Sequence, residues 1–81
     1  MQVRVCYFAA LREAVGRDEE TVEVPAGTSV GALAALLEAR HGSLARHRAG
    51  LRFALGTRFA GLEEPLHPGC QVALLPPVSG G

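Results

Sequence analysis

Alternation of apolar and polar residues marks several short segments of this chain as β-strands. A period of two is typical of a strand with one buried face. The segments are residues 2–8, 20–24, 51–55, 58–60 and 71–75. In the first segment, Val3, Val5 and Tyr7 share the expected inner side, whereas Cys6 and Phe8 point to the outer side. We therefore expect Cys6 to be half-exposed.

The same alternation gives the last strand two distinct faces. Val72 and Leu74 fall on one side of residues 71–75, and Ala73 and Leu75 fall on the other. If Val72 and Leu74 face the core, Leu75 lies on the same outer side as Phe8. An outward Phe and Leu in neighbouring strands would form an exposed apolar patch, which usually marks an interface.

Two segments have the spacing of helices. Residues 9–15 are rich in helix formers and end at Gly16, which predicts one short helix. A longer helix is predicted from Val30 to His41, capped by Thr28 or Ser29 and closed by Gly42. Its apolar residues fall on one face and are Val30, Leu33, Leu36 and Leu37.

The order of these elements predicts an α+β fold. Strands before and after one long amphipathic helix favour a mixed five-stranded sheet with that helix packed on one face. In such a roll, the first and last strands are parallel neighbours at the centre of the sheet. We expect residues 1–76 to form the single folded domain and residues 77–81 to form an extended, flexible tail.

Composition narrows the classes of function. The chain has 81 residues and no net charge, so it lacks the basic surface that nucleic acid or an anionic membrane would need. The first residues, MQVRVCYF, alternate and do not resemble a signal peptide, so the expected location is the cytoplasm. Cys6, Cys70 and the three histidines lack the spacing of metal ligands, and we expect no metal site.

The C-terminal residues have an unusual composition. Pro76 and Pro77 remove two backbone donors, so the last strand must stop pairing there. The chain then ends in Gly80-Gly81. Glycine has no Cβ, so this end could enter a narrow channel and leave its terminal carbonyl carbon open to attack.

Three segments of the chain resemble one family. They are VRVCYFAALREAVG at residues 3–16, PAGTSVGALAALLEARHG at residues 25–42 and PLHPGCQVALLPPVSGG at residues 65–81. Together they are similar to the ubiquitin-like sulfur carriers, and most of all to the small subunits of molybdopterin synthases. The resemblance covers nearly the whole chain and implies a β-grasp (ubiquitin-like) fold.

The resemblance implies that the chemistry takes place at Gly81, with Gly80 beside it. An activating enzyme would use ATP to adenylate the Gly81 carboxylate, and a sulfur donor would convert it to a thiocarboxylate. The large subunit of molybdopterin synthase would accept the tail in a heterotetramer and supply the catalytic residues. The chain itself would then donate sulfur without being the catalyst, and would hold no cofactor stably.

The resemblance also implies a partner-binding surface beside the tail. Its residues would be Phe8, Arg12, Phe59, Leu75, Pro76, Pro77 and Val78. Arg12 would pair with an acidic group of a partner, although it could equally be a solvated helix residue.

Other functions fit parts of the same pattern. A carrier of this fold could deliver sulfur to thiamin thiazole or to tRNA, although thiamin carriers lack the segment matching Leu11-Arg12-Glu13. A protein modifier would instead join Gly81 to lysines of target proteins. An interaction domain with a passive tail would tolerate deletion of Gly81.

Overall fold

A mixed sheet forms the framework of the protein. The computed structural model describes residues 1–77. The strands are β1 (Gln2–Tyr7), β2 (Glu19–Glu23), β3 (Arg52–Leu55), β4 (Arg58–Ala60) and β5 (Gln71–Leu75). They form one sheet with the order β2-β1-β5-β3-β4. This arrangement confirms the α+β class and the predicted five-stranded mixed sheet.

The parallel pair β1–β5 joins the two halves of the sheet. Val5 pairs with Val72 and Tyr7 pairs with Leu74, while β2 and β3 each run antiparallel to their neighbour in that pair. A parallel pair needs a long crossover between its strands, and here the connection includes the helix that covers the inner face. The first and last strands are therefore neighbours, as the pattern predicts.

Three helical segments lie between the first three strands of the chain. They are α1 (Ala10–Val15), α2 (Val30–Arg40) and a 3-10 helix (Gly42–His47). Ser29 is the cap of α2, because its hydroxyl oxygen accepts a hydrogen bond from Ala32 N at 3.1 Å. Helix α2 ends one residue earlier than predicted, and Gly42 begins the 3-10 helix, which the sequence pattern did not indicate.

The hydrophobic core lies between the inner face of the sheet and α2. Its fully buried side chains are Val3, Val5, Leu11, Val22, Val30, Leu33, Leu37, Val72 and Leu74. Leu36, predicted on the same helix face, is only partly buried against this cluster. Burial of one such aliphatic side chain stabilises the fold by about 1.5–3 kcal/mol.

The 3-10 helix closes one end of this core. Leu44 is buried at 2% exposure, and the Ser43 hydroxyl donates a hydrogen bond to Ala14 O at 2.6 Å. These two contacts hold the helix between α1 and α2. The segment that leads into β3 is thereby fixed to the rest of the fold.

A polar cluster around Glu20 lies at the same end of the molecule. The Glu20 side chain is only 5% exposed, and its carboxylate accepts a hydrogen bond from the Tyr7 hydroxyl. His41 Nε2 lies 2.6 Å from it, Arg17 Nη1 3.3 Å and Arg40 Nη1 3.6 Å. One carboxylate thus ties together β1, β2, the turn before β2 and the C-terminus of α2.

These partners decide the protonation of the buried carboxylate. Burial alone would raise the pKa of Glu20, but the hydrogen bonds from Tyr7 and His41 and the charge of Arg17 together lower it. Burial and the bond to Glu20 raise the pKa of Tyr7, which remains a donor. The Glu20 carboxylate is therefore ionised and fully engaged at neutral pH.

Replacing Glu20 should destabilise the fold more than replacing its neighbour Glu19. Glu20→Gln is expected to lower the free energy of unfolding by about 1–3 kcal/mol, because charged hydrogen bonds are lost in a buried place. Glu19→Gln removes only an exposed pair with Arg4 and should have little effect. Urea unfolding at pH 7 measures both, and equal effects would contradict the role of the cluster.

The stability difference between wild type and Glu20→Gln should depend on pH. Because the pKa of Glu20 is lower in the folded chain, its contribution is present above the unfolded value and is lost as the pH falls through the folded value. The difference should therefore shrink below about pH 4.5, the ordinary value for glutamate. A constant difference down to pH 2 would contradict this assignment.

The two phenylalanines of the β3–β4 hairpin should differ sharply in their effect on stability. Phe53 is 6% exposed and belongs to the core, whereas Phe59 is 59% exposed. Phe53→Ala should cost about 3–5 kcal/mol, and Phe59→Ala less than about 1 kcal/mol. A large loss for Phe59→Ala in urea unfolding would show that its ring packs into the fold.

Candidate functional site

A row of small side chains crosses the outer face of the sheet. Strand pairing aligns Cys6 with Ala73, Ala73 with Ala54, and Ala54 with Phe59. Their neighbours Val5, Val72 and Phe53 point inward and are buried. Because side chains alternate along a strand, the row faces away from the core. It leads across the sheet to the exposed ring of Phe59.

Phe8 and Leu75 lie together at the end of this face. Phe8 N donates to Leu74 O at 3.3 Å, so the chain continues alongside β5 just beyond the last residue of β1. Phe8 is 46% exposed and Leu75 is half-buried. We define the outer apolar patch as Phe8, Ala54, Phe59, Ala73 and Leu75. The predicted outward positions of Phe8 and Leu75 are those found.

An arginine covers part of this patch. The guanidinium carbon of Arg52 lies 4.1 Å from the centre of the Phe59 ring, and Arg52 pairs in the sheet with Leu75. This distance is typical of a cation–π contact. The charge therefore lies between the aromatic ring and the end of β5. The sequence pattern carries no signal for this contact, because it depends on the register of two strand pairs.

A strained residue turns the chain after Phe8. Ala9 has φ 51° and ψ −126°, a backbone conformation that residues other than glycine rarely adopt. The turn is closed by a hydrogen bond from Leu11 N to Phe8 O at 3.0 Å. Helix α1 then begins at once, and Arg12 lies exposed on it beside Asp18, with 3.9 Å between Nε and Oδ1. The predicted partner residues Phe8 and Arg12 thus flank one tight turn.

The path of the chain beyond β5 begins beside this patch. Strand β5 ends at Leu75, Pro76 is half-buried and Pro77 is exposed. A Cβ built on Gly50 would lie 2.8 Å from Pro77 Cβ, so the proline packs directly over that glycine. The other predicted site residues, Val78, Gly80 and Gly81, lie outside the described residues.

The two cysteines have different surroundings. Cys6 is buried at 8% exposure, with Gln71 Nε2 3.2 Å from its sulfur. The expectation of a half-exposed Cys6 is therefore wrong, because Gln71 on the neighbouring strand helps to cover it. Cys70 is half-buried. Residues 1–77 contain no group of three or more His, Cys, Asp or Glu side chains able to hold a metal ion.

A groove of about 470 Å³ lies on the inner side of the sheet, where α2, the 3-10 helix and β3 meet. Most of its lining is apolar, and its two charged residues, Glu38 and Arg48, form an ion pair with each other. The groove brings together no nucleophile and base. None of the helices in residues 1–77 is long and apolar enough to cross a membrane.

Comparison with known proteins identifies relatives along the whole chain. The ThiS family matches residues 5–81. The molybdopterin synthase sulfur carrier subunit of Homo sapiens is 37% identical over 83 residues, covering 99% of this chain and 94% of the relative. The protein of the same name from Mycobacterium tuberculosis is 38% identical over 82 residues, covering 100% and 99%.

Solved structures share the fold. The crystal structure of SAMP1 from Haloferax volcanii has a TM-score of 0.88 and 28% identity, and each chain covers all of the other. In the complex of subunits 1 and 2 of the molybdopterin-converting factor from Helicobacter pylori, the matching chain has a TM-score of 0.73 and 26% identity, again with complete coverage. The β-grasp, ubiquitin-like fold is confirmed, and the chain belongs to the ThiS family of sulfur carriers.

Proposed function

We propose that this protein is the sulfur carrier subunit of a molybdopterin synthase, with Gly81 as the residue that carries sulfur. The observation that supports this role best is the position of the end of β5. Leu75, the last residue of that strand, lies beside Phe8 on an exposed apolar surface, and the chain leaves the sheet there through two prolines. A partner bound to the surface would receive the tail directly.

The proposed activation converts an unreactive carboxylate into an acyl donor. A carboxylate oxygen of Gly81 attacks the α-phosphorus of ATP on an activating enzyme, and pyrophosphate leaves. A sulfur nucleophile at the oxidation level of hydrosulfide then adds to the carbonyl carbon, and AMP leaves with the electrons of the C–O bond. Loss of the thioacid proton yields the thiocarboxylate, a polarisable nucleophile. No oxidant or reductant is needed when hydrosulfide itself is the donor.

The described part of the chain is suited to delivering this group, and the catalytic residues belong to the partner. The groove contains only a paired Glu38 and Arg48 as charged groups, and the Glu20 carboxylate is fully engaged in the fold. We therefore assign the acid, the base and the binding of the cyclic pterin precursor to the large subunit. The Helicobacter pylori complex joins two such subunits, which supports a large-subunit partner here.

The outer apolar patch is the proposed contact with that partner. An exposed Phe and a half-buried Leu next to a cationic side chain have the composition of an interface centre, where aromatic and Arg residues are enriched. Arg12 lies one turn of chain beyond Phe8 and would extend this contact to an acidic group. The same patch would serve the activating enzyme, because both partners must reach the same chain end.

A protein modifier is the second candidate function. SAMP1 from Haloferax volcanii, which shares this fold, is a small archaeal modifier protein. Both roles begin with an acyl adenylate at the last glycine, and they differ in the acceptor. Higher-mass adducts in cell extract that survive reduction would favour the modifier.

The modification of Gly81 should be visible as a change in intact mass. Incubation with an adenylating enzyme, ATP and sulfide should replace one oxygen by sulfur in the wild-type chain. Deletion of Gly81, or addition of one alanine after it, should abolish the change and leave the melting temperature unaltered, since the core is complete before Pro76. Sulfur incorporation into the deletion variant would place the chemistry elsewhere.

Charge placed in the outer apolar patch should weaken binding to the large subunit. Phe59→Arg and Leu75→Arg are each expected to raise Kd at least about tenfold, because a buried charge replaces an apolar contact. Thr21→Arg is the matched control, because Thr21 lies on β2, on the same outer face of the sheet but outside the patch. Calorimetric titration measures Kd, and an unchanged Kd with a lower melting temperature would assign the two residues to the core instead.

A further inference from the structure

The backbone conformation of Gly50 does not by itself account for a glycine at this position. It follows the 3-10 helix and precedes β3, with φ +80°. That conformation favours glycine, and four further glycines of residues 1–77 share it: Gly16, Gly27, Gly56 and Gly69. A Cβ added to any of those four would meet nothing within 4 Å. At Gly50 it would meet the ring of Pro77, so this glycine has a second constraint.

The contact with Pro77 is closer than any side chain would allow. The added Cβ would lie 2.8 Å from Pro77 Cβ, 3.0 Å from Cγ and 3.6 Å from Cδ. Carbon atoms pack at roughly 3.5–4.0 Å. The proline ring is closed onto the backbone and cannot rotate away, so a methyl group here must displace the backbone of residue 77 by on the order of 1 Å.

The loop that carries Gly50 is held firmly enough to act as a fixed support. Leu51 N donates to Arg48 O at 3.2 Å, and Arg48 forms an ion pair with Glu38 of α2. Before it, Leu44 and Ser43 fix the 3-10 helix to the core and to α1. Pro77 is the less constrained partner of the contact, since β5 has already ended at Leu75.

We propose that Gly50 is a positioning residue for sulfur transfer. Its bare Cα forms a notch that seats Pro77 and thereby sets the direction in which the chain leaves the sheet toward the partner's active site. This inference rests on the proposed function. A misplacement of about 1 Å in a reacting group can cost on the order of 10²-fold in rate. The outer apolar patch does not include Gly50, so affinity for the partner should be preserved.

The test compares Gly50→Ala with Gly27→Ala in the full chain. Gly27 has φ +88° and open space around it, so its variant suffers the same backbone strain without touching the tail. The rate of thiocarboxylate formation is measured by intact mass with activating enzyme, ATP and sulfide, and is scaled to the folded fraction. We expect Gly50→Ala to lower kcat at least about tenfold with little change in KM, and Gly27→Ala to leave both near wild type.

The variant Pro77→Gly provides the coupling measurement. It removes the ring that the new methyl group would strike, so Gly50→Ala should have no further effect on kcat in that background. Gly27→Ala should combine additively with Pro77→Gly, as expected of residues that do not touch. Additive behaviour of Gly50→Ala, or equal effects of the two alanine variants, would overturn the proposal.

A structural readout separates this proposal from the proposed function. In NMR spectra of the free chain, Gly50→Ala should shift the backbone amides of residues 78–81, and Gly27→Ala should not. Unchanged amides would reject the notch whatever the activity. If wild-type protein gains no sulfur while these amides do shift, the proposed function fails, and the positioning of the tail by Gly50 still stands.

Discussion

The parallel pairing of β1 with β5 determines how the rest of the molecule is arranged. It aligns Tyr7 with Leu74. The chain therefore leaves β1 through Phe8 at the same end of the sheet where it leaves β5 through Pro76. The crossover that a parallel pair requires supplies α2, which covers the inner face. This pairing thus sets the positions of the core, of the outward-facing row and of the point where the chain leaves β5.

The inner face of the sheet contributes most of the stability, and the outer face contributes little to it. Inward residues such as Val5 and Val72 are fully buried, and the Glu20 cluster seals the core at the end where α2 stops. Outward residues are small or exposed and cost little to the fold. Because of this division, residues of the outer face can change without weakening the core.

Much of this architecture could be predicted from the sequence, because alternation reports directly on burial. The bounds of β5 and the inward positions of β1 are those that the pattern indicates. The 3-10 helix was missed because Gly42 and the polar residues after it are also typical of a loop. Cys6 was misjudged because its cover comes from Gln71, a distant residue in the chain. The Glu20 cluster and the contact of Gly50 with Pro77 likewise join segments far apart in sequence, which no local pattern records. The proposal that Gly80 and Gly81 carry the sulfur chemistry rests on the resemblance of the chain end, and both residues lie beyond the described residues.

The stacking of Arg52 on Phe59 affects the tendency of the free protein to associate with itself. An aromatic ring exposed on a strand near the edge of a sheet invites self-association. Here the guanidinium of the exposed Arg52 lies 4.1 Å from that ring, and the edge strand β4 has only three residues. Such short, charged edges resist pairing with a second chain. The contact therefore opposes self-association through this face of the sheet while the chain is unbound.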